Sequence, residues 1–331
     1  MFPFRRKKEE DAKIPGHSED VKIRRRRKKE VPPKPWGKIE RIVVFALLVA
    51  LTLASAIVYL NSKKSKTAQK APIEALPIIS QINVAPKDTK ELKDSLSQEI
   101  ENLKGEYGIW VQALDNSYNV GINEDDQFEG ASFFKLPMMI AYYEEVDKGA
   151  INPNSTYSLK FSDAQAGAGN LANLPEGTVI TYHDIVEAMG KNSDNTAFQI
   201  MGTILGFDKE TKVINELSME NTDFSNSLTT PKDMGTLFYK LINTNIISDS
   251  SKFELLSFLK KTDFESLIPQ GIDDNIEVAH KYGSAGSSLN DAGIVYVNKP
   301  YIIAILSKDV NFDEANIEIP KISKIVYDWA R

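Results

Sequence analysis

Cysteine is absent from all 331 residues, which excludes disulfides, thiolate zinc sites and cysteine nucleophiles and leaves the chain indifferent to an oxidising compartment. Histidine is scarce. His17, His183 and His280 stand far apart and form no H-x-x-x-H or similar cluster, so a His-based metal site is not expected. Neither a G-x-x-x-x-G-K-[ST] loop nor an internal repeat occurs, which removes phosphate-cradling loops and solenoid folds. No cofactor and no metal are expected.

What is present is unevenly distributed. The net charge of -6 hides a basic start: residues 1–41 carry 15 Lys/Arg against 7 Asp/Glu, a balance of +8 that leaves -14 for the remainder. The run Arg24 to Lys29 taken alone has the composition of a nucleic-acid patch, but Ile42 to Leu60 follows, 19 residues without a charge (IVVFALLVALTLASAIVYL). That length and composition suit a bilayer-spanning helix, so nucleic acid is not an expected partner. Nine Lys/Arg from Arg24 to Arg41 precede it and four lysines between Lys63 and Lys70 follow, so the N-terminus is expected in the cytoplasm and the bulk of the chain outside. The expected organisation is a basic tail (1–41), an uncleaved transmembrane helix (42–60), a polar linker (61–86) and one folded, monomeric domain (87–331), a comfortable single-domain size.

Within that domain, Leu92, Leu96, Ile100 and Leu103 predict an opening amphipathic helix over Asp88 to Lys104. Tyr107 to Leu114 and Tyr118 to Ile122 read as a hairpin. Helical patterns run from a start near Ser132, then around Asp184 to Lys191, Thr196 to Leu205, Asp208 to Leu217, Lys232 to Ile242 and Ser251 to Lys261. Strands follow at Ile276 to Tyr282, Ala292 to Val297 and Tyr301 to Lys308, then a closing helix. Two strands early and three late predict an α+β domain, with a five-stranded antiparallel sheet built from both ends, flanked by terminal helices, and an all-helical lobe inserted. The cleft between lobe and sheet is where chemistry is expected.

Three short motifs carry that chemistry. Ser132-Phe133-Phe134-Lys135 places a hydroxyl and an amine three residues apart, on one face of a helix. Ser193-Asp194-Asn195 and then Lys281-Tyr282-Gly283 follow. A second S-x-x-K, Ser257 to Lys260, falls after S-D-N and is set aside. The order S-x-x-K, S-D-N, K-x-G resembles the motif set of class A β-lactamases and penicillin-binding proteins. The likeness extends to GTVITYHDIVEAMGKNSDNTAFQIM, to Thr229-Thr230-Pro231 with the helix after it, and to VAHKYGSAGSSLNDAGIVYVNKPYIIAILS.

The resemblance implies a membrane-anchored serine hydrolase that forms an acyl-enzyme with β-lactams or D-Ala-D-Ala-like cell-wall peptides. In it Ser132 is the nucleophile and Lys135 its base, which must be neutral to act. Lys281 is the cation expected to lower the proton affinity of Lys135, and Ser193 passes a proton to the leaving nitrogen. Asn195, Tyr282, Gly283 and Ser284 bind substrate, with the backbone N–H groups of Ser132 and Ser284 holding the oxyanion. Asp194 is expected as a structural acceptor. His280 alternates to the face opposite Lys281, so a Ser-His-Asp triad is not expected.

Two departures matter. The family's hydrolytic members have a Glu-x-x-Leu-Asn segment whose glutamate positions the water that frees the acylated serine, and no such segment stands between Asn195 and Thr229; Glu220 is the nearest carboxylate, in a setting that does not match. Tyr282 replaces a Ser or Thr hydroxyl, and its ring is expected to narrow the cleft. Slow deacylation is therefore expected, and the alternative is a catalytically weak or inactive ligand-binding module of the same fold.

Overall fold

A computed structural model describes residues 88–331; the expected tail, spanning helix, linker and domain start at Lys87 lie outside the described residues. The first element is α1 (Lys90–Ile100), whose buried Leu92 and Leu96 sit one turn apart on a single face. It ends before Leu103 because the chain turns at Gly105 (φ +87°), where a Cβ would lie 2.5 Å from the Lys308 carbonyl oxygen. Only glycine fits so close an approach in that conformation.

Strands β1 (Glu106–Ala113) and β2 (Asn119–Ile122) form the expected hairpin. The inserted lobe then contains β3 (Phe128–Glu129), a 3-10 turn (Ala131–Phe134), α2 (Lys135–Asp147), β4 (Thr156–Ser158), β5 (Val179–Thr181), α3 (Tyr182–Lys191), α4 (Asn195–Leu205), α5 (Asp208–Glu216), β6 (Leu228–Thr229), α6 (Pro231–Asn243) and α7 (Asp249–Phe258). Several of its helices start where the sequence offers an oxygen to a free backbone amide. Thr181 caps α3 and Asp194 caps α4. Thr230, followed by Pro231 in the first turn, caps α6. The chain returns through β7 (Val278–Ala285), β8 (Ser288–Val295) and β9 (Tyr301–Lys308) to α8 (Phe312–Ala330).

The five-stranded sheet has the order β2-β1-β9-β8-β7, antiparallel throughout. Strand β9 lies at its centre. Its period-2 alternation sends Ile302, Ala304 and Leu306 into a core shared with the helical lobe, and Tyr301, Ile303 and Ile305 into a second core with α1 and α8. Being apolar on both faces is what a central strand covered by helices on either side requires.

Two expected boundaries need correction. The first late strand begins at Val278 and runs to Ala285, so Gly283 and Ser284 are strand residues. The second begins at Ser288, because polar Asn290 and Asp291 are buried with partners and pair across to β7 and β9. Internal hydrogen bonding accommodates their polarity within the sheet.

Candidate active site

Ser132 sits in the 3-10 turn that feeds α2, after Ala131 at φ +46°. A non-glycine residue in the left-handed region is a strained position, and here it marks the sharp bend that presents Ser132. Lys135 opens α2 and is 3% exposed. Its Nζ donates to Ser132 Oγ at 2.8 Å and to Asn195 Oδ1 at 2.7 Å. The amide of Asn195 is oriented by both ends, since its Nδ2 donates to the Ala166 carbonyl at 2.7 Å.

The S-D-N turn lies between α3 and α4. Ser193 is fully buried at φ +53°. Asp194, also buried, accepts from the backbone N–H groups of Ala197 (2.8 Å), Asn170 (2.6 Å) and Leu171 (2.9 Å). It is the structural acceptor expected from the sequence, capping α4 while pinning a loop from Ala164 to Asn170 against the site. That loop escaped sequence reading. Its signal was Gly167 and Gly169, both at positive φ, where a Cβ would lie 2.5 Å from Asn195 Nδ2 and 2.1 Å from Asp194 Oδ2 respectively.

Across from S-D-N, Lys281 on β7 is 1% exposed and its Nζ donates to Ser193 Oγ and to the Tyr282 carbonyl, each at 2.8 Å. Strand β7 is the sheet edge, so its outer backbone groups are free of a strand partner. It passes close to the nucleophile's turn: a Cβ on Gly283 would meet the Gly130 carbonyl at 3.2 Å. Ser284, half-buried, follows on the same edge. S-x-x-K, S-D-N and K-Y-G thus meet in two adjoining hydrogen-bonded groups, Lys135 with Ser132 and Asn195, and Lys281 with Ser193.

The electrostatics differ from expectation. Burial brings Lys135 down to about 8, with the charge of Asp194 opposing; burial, and not the Lys281 cation, is the leading cause. Lys281 itself is held well below the ordinary lysine range, first by burial and then by the Lys135 charge, with Asp291 opposing. The two amines repel across a site whose nearest carboxylate is committed to three backbone N–H groups.

The Tyr282 ring stacks on Phe264 of the loop before β7, with centroids 4.5 Å apart and planes 7° apart. His280 is fully buried and meets Asp291, Glu265 and Thr262, none of them site residues; no Ser-His-Asp triad with Ser132 forms. In the second S-x-x-K, Ser257 Oγ donates to the Glu254 carbonyl and Lys260 to Glu277, so the pair is drawn apart.

The segment before Thr229 contains no carboxylate turned to the lysine. Glu220 is exposed, and Asp223 and Leu228 pair backbone to backbone at 2.7 and 2.9 Å, closing a tight hairpin. Phe224 packs edge-on against Phe134 (5.4 Å) and stacks with Phe207 (6.4 Å). Phe207 in turn meets Phe198, whose ring centroid lies 5.7 Å from Lys135 Nζ.

The chain matches the family model described as Beta-lactamase enzyme family over residues 90–330. It is 24% identical over 271 residues to β-lactamase VEB-1 of Pseudomonas aeruginosa, covering 71% of this chain and 90% of that protein. To a β-lactamase of Bacteroides uniformis it is 24% identical over 282 residues, covering 75% and 94%. Among solved structures, PBP-A is similar with a TM-score of 0.67 at 25% identity, over 72% of this chain and 95% of that one. A PBP-A variant solved as an acyl-enzyme complex with penicillin G gives the same values. A β-lactamase from Sphaerobacter thermophilus shares the fold, with a TM-score of 0.69 at 23% identity over 73% and 98%.

Proposed function

Because the chain belongs to the β-lactamase enzyme family, we propose that Ser132 is acylated by β-lactams or D-Ala-D-Ala-like cell-wall peptides and that the acyl group then leaves slowly. The observation that carries the reading is the 2.8 Å contact between Lys135 Nζ and Ser132 Oγ, made by an amine that burial has brought down to about 8. A neutral amine reverses that contact: the hydroxyl donates, and its proton passes to nitrogen as Oγ attacks the carbonyl. Ser193, held by Lys281, stands as the group that returns a proton to the leaving nitrogen. Asn195, fixed by Lys135 and Ala166, has its amide set for the ligand's own amide. The edge of β7 at Gly283 and Ser284 offers backbone donors to the ligand, with the Ser132 N–H as the second oxyanion donor.

Slow release follows from what surrounds the lysine. Its hydrogen-bond partners are a hydroxyl and an amide, and the hairpin before Thr229 contributes Phe224 to an aromatic wall. An ester with no general base to deliver water forgoes assistance worth roughly 10² to 10⁴ in rate. This favours a penicillin-binding role over efficient turnover.

The same reading includes the membrane. The apolar run 42–60 between basic flanks supports a single-pass anchor with the N-terminus cytoplasmic and the hydrolase domain outside; among the described residues no helix is long and apolar enough to cross a membrane.

Mass spectrometry after exposure to a penicillin tests the assignment. The adduct is expected on Ser132 and is expected to vanish in Ser132→Ala. An adduct elsewhere defeats it, and a folded protein that binds without any adduct restores the binding-module alternative.

A further inference from the structure

His280 takes no part in the acylation network, yet it is the most tightly held side chain beside it. It is fully buried on β7, next to Lys281. One ring nitrogen, Nδ1, faces the Asp291 carboxylate of β8 at 2.8 and 3.0 Å. The other, Nε2, faces Glu265 Oε1 at 3.1 Å and Thr262 Oγ1 at 3.3 Å. Its backbone N–H donates to the Leu259 carbonyl at the end of α7. Asp291 is itself anchored by the Ile268 N–H at 3.0 Å.

Glu265 and Thr262 belong to the loop between α7 and β7, and that loop reaches both sides of the cleft. Toward the sheet, Phe264 lies flat on Tyr282, with its centroid 5.9 Å from Lys281 Nζ. Toward the helical lobe, the Asp263 N–H donates to the Lys191 carbonyl at 3.0 Å, and Asn192 Nδ2 donates to Asp263 Oδ2 at 2.8 Å. Lys191 Nζ also donates to the Lys260 carbonyl. Asn192 immediately precedes Ser193, the partner of Lys281. One short loop therefore laces S-D-N to K-Y-G, and His280 is what fastens that loop to the strand.

We propose that His280 is a positioning residue for acylation: by gripping Glu265 and Asp291 together it clamps the 262–268 loop, and so holds Ser193 against Lys281 across the cleft. The inference rests on the reading of Ser132 as the acylated residue. A ring set between two carboxylates holds both only when both nitrogens carry a proton. Neutral imidazole donates once, leaving a lone pair against the other carboxylate. Burial works against that charge, but Asp291 and then Glu265 outweigh it and raise His280 to about 9. Its strand neighbour Lys281 lies on the opposite face of β7 and also feels the Asp291 charge. Burial of Glu265 is likewise outweighed, by the His280 hydrogen bond and charge, which hold its carboxyl below the usual range.

The folded value lies above the ordinary 6.5, so the clamp's contribution is complete below about pH 6.5 and is lost as pH rises through about 9. Acylation should therefore climb as Lys135 loses its proton and fall as His280 loses its own.

The test uses the chain's histidine scarcity. With His17, His183 and His280 its only imidazoles, their ring C–H resonances can be followed by NMR across pH while the acylation constant for a chromogenic cephalosporin is measured over the same range. The His280 resonance, assigned by its loss in His280→Asn, should titrate well above 6.5. Glu265→Gln, at a part-exposed position, should move that titration down by roughly one pH unit. It should move the alkaline limb of the acylation profile with it, lowering the constant at pH 9 by roughly five- to tenfold and leaving it near wild type at pH 6.5. Overturning results are an alkaline limb that stays in place while the titration moves, or a His280 resonance that titrates near 6.5. Wild-type protein that forms no adduct at any pH, with one imidazole still titrating high, defeats the acylation reading first and the positioning role with it.

Discussion

At the scale of single residues, the site turns on a buried amine. Lys135 is brought to about 8 by burial, a depression that releases its proton near physiological pH instead of near the ordinary 10.5. The rate of acylation should rise tenfold per pH unit well below 8 and level off above it, until the fall expected of His280; stopped-flow at several pH values checks this. Removing the amine in Lys135→Ala should slow acylation by roughly 10² to 10⁴, with the fold retained by circular dichroism. Asp194 shows the opposite kind of importance. Its carboxylate meets three backbone N–H groups from two segments, so Asp194→Ala leaves buried donors without partners and should cost about 3 kcal/mol in urea unfolding.

At the scale of elements, the proposed slow release rests on the hairpin ahead of Thr229. A chromogenic cephalosporin should give a burst of about one equivalent followed by a slow steady state, and Glu220→Gln should leave both phases unchanged because Glu220 is exposed. Rapid multiple turnover that Glu220→Gln abolishes would overturn the slow-release reading. Ser132, Lys135 and both partner motifs were legible in the sequence because each is a short pattern with a fixed spacing. So was the sheet, since β9 and its neighbours alternate or run apolar over eight residues. The Ala164 to Asn170 loop and Phe264 were not legible, because their roles depend on hydrogen bonds and stacking between segments far apart in the chain. The strand start at Ser288 was not legible for the same reason: the partners of Asn290 and Asp291, namely Glu129, Ser307, His280 and Ile268, come from elsewhere.

At the scale of the whole molecule, the proposed topology makes a plain demand. Protease added to intact cells should remove the hydrolase domain and spare the Arg24 to Lys29 segment; digestion of that segment instead would invert the arrangement. The order of the sheet adds a constraint on how the domain comes into being. Strand β1 pairs with β9 from Glu106↔Lys308 to Ala113↔Tyr301, so its central pairing joins segments about 200 residues apart. A chain emerging N-terminus first can close the β1–β2 hairpin at once, but that hairpin keeps an unpaired inner edge until nearly the last residue has been made. The domain is therefore built to fold late and slowly, with an open strand exposed to aggregation during synthesis. A product truncated before Tyr301 would lack the one strand that joins β1 to β8, and its soluble yield should fall to nothing.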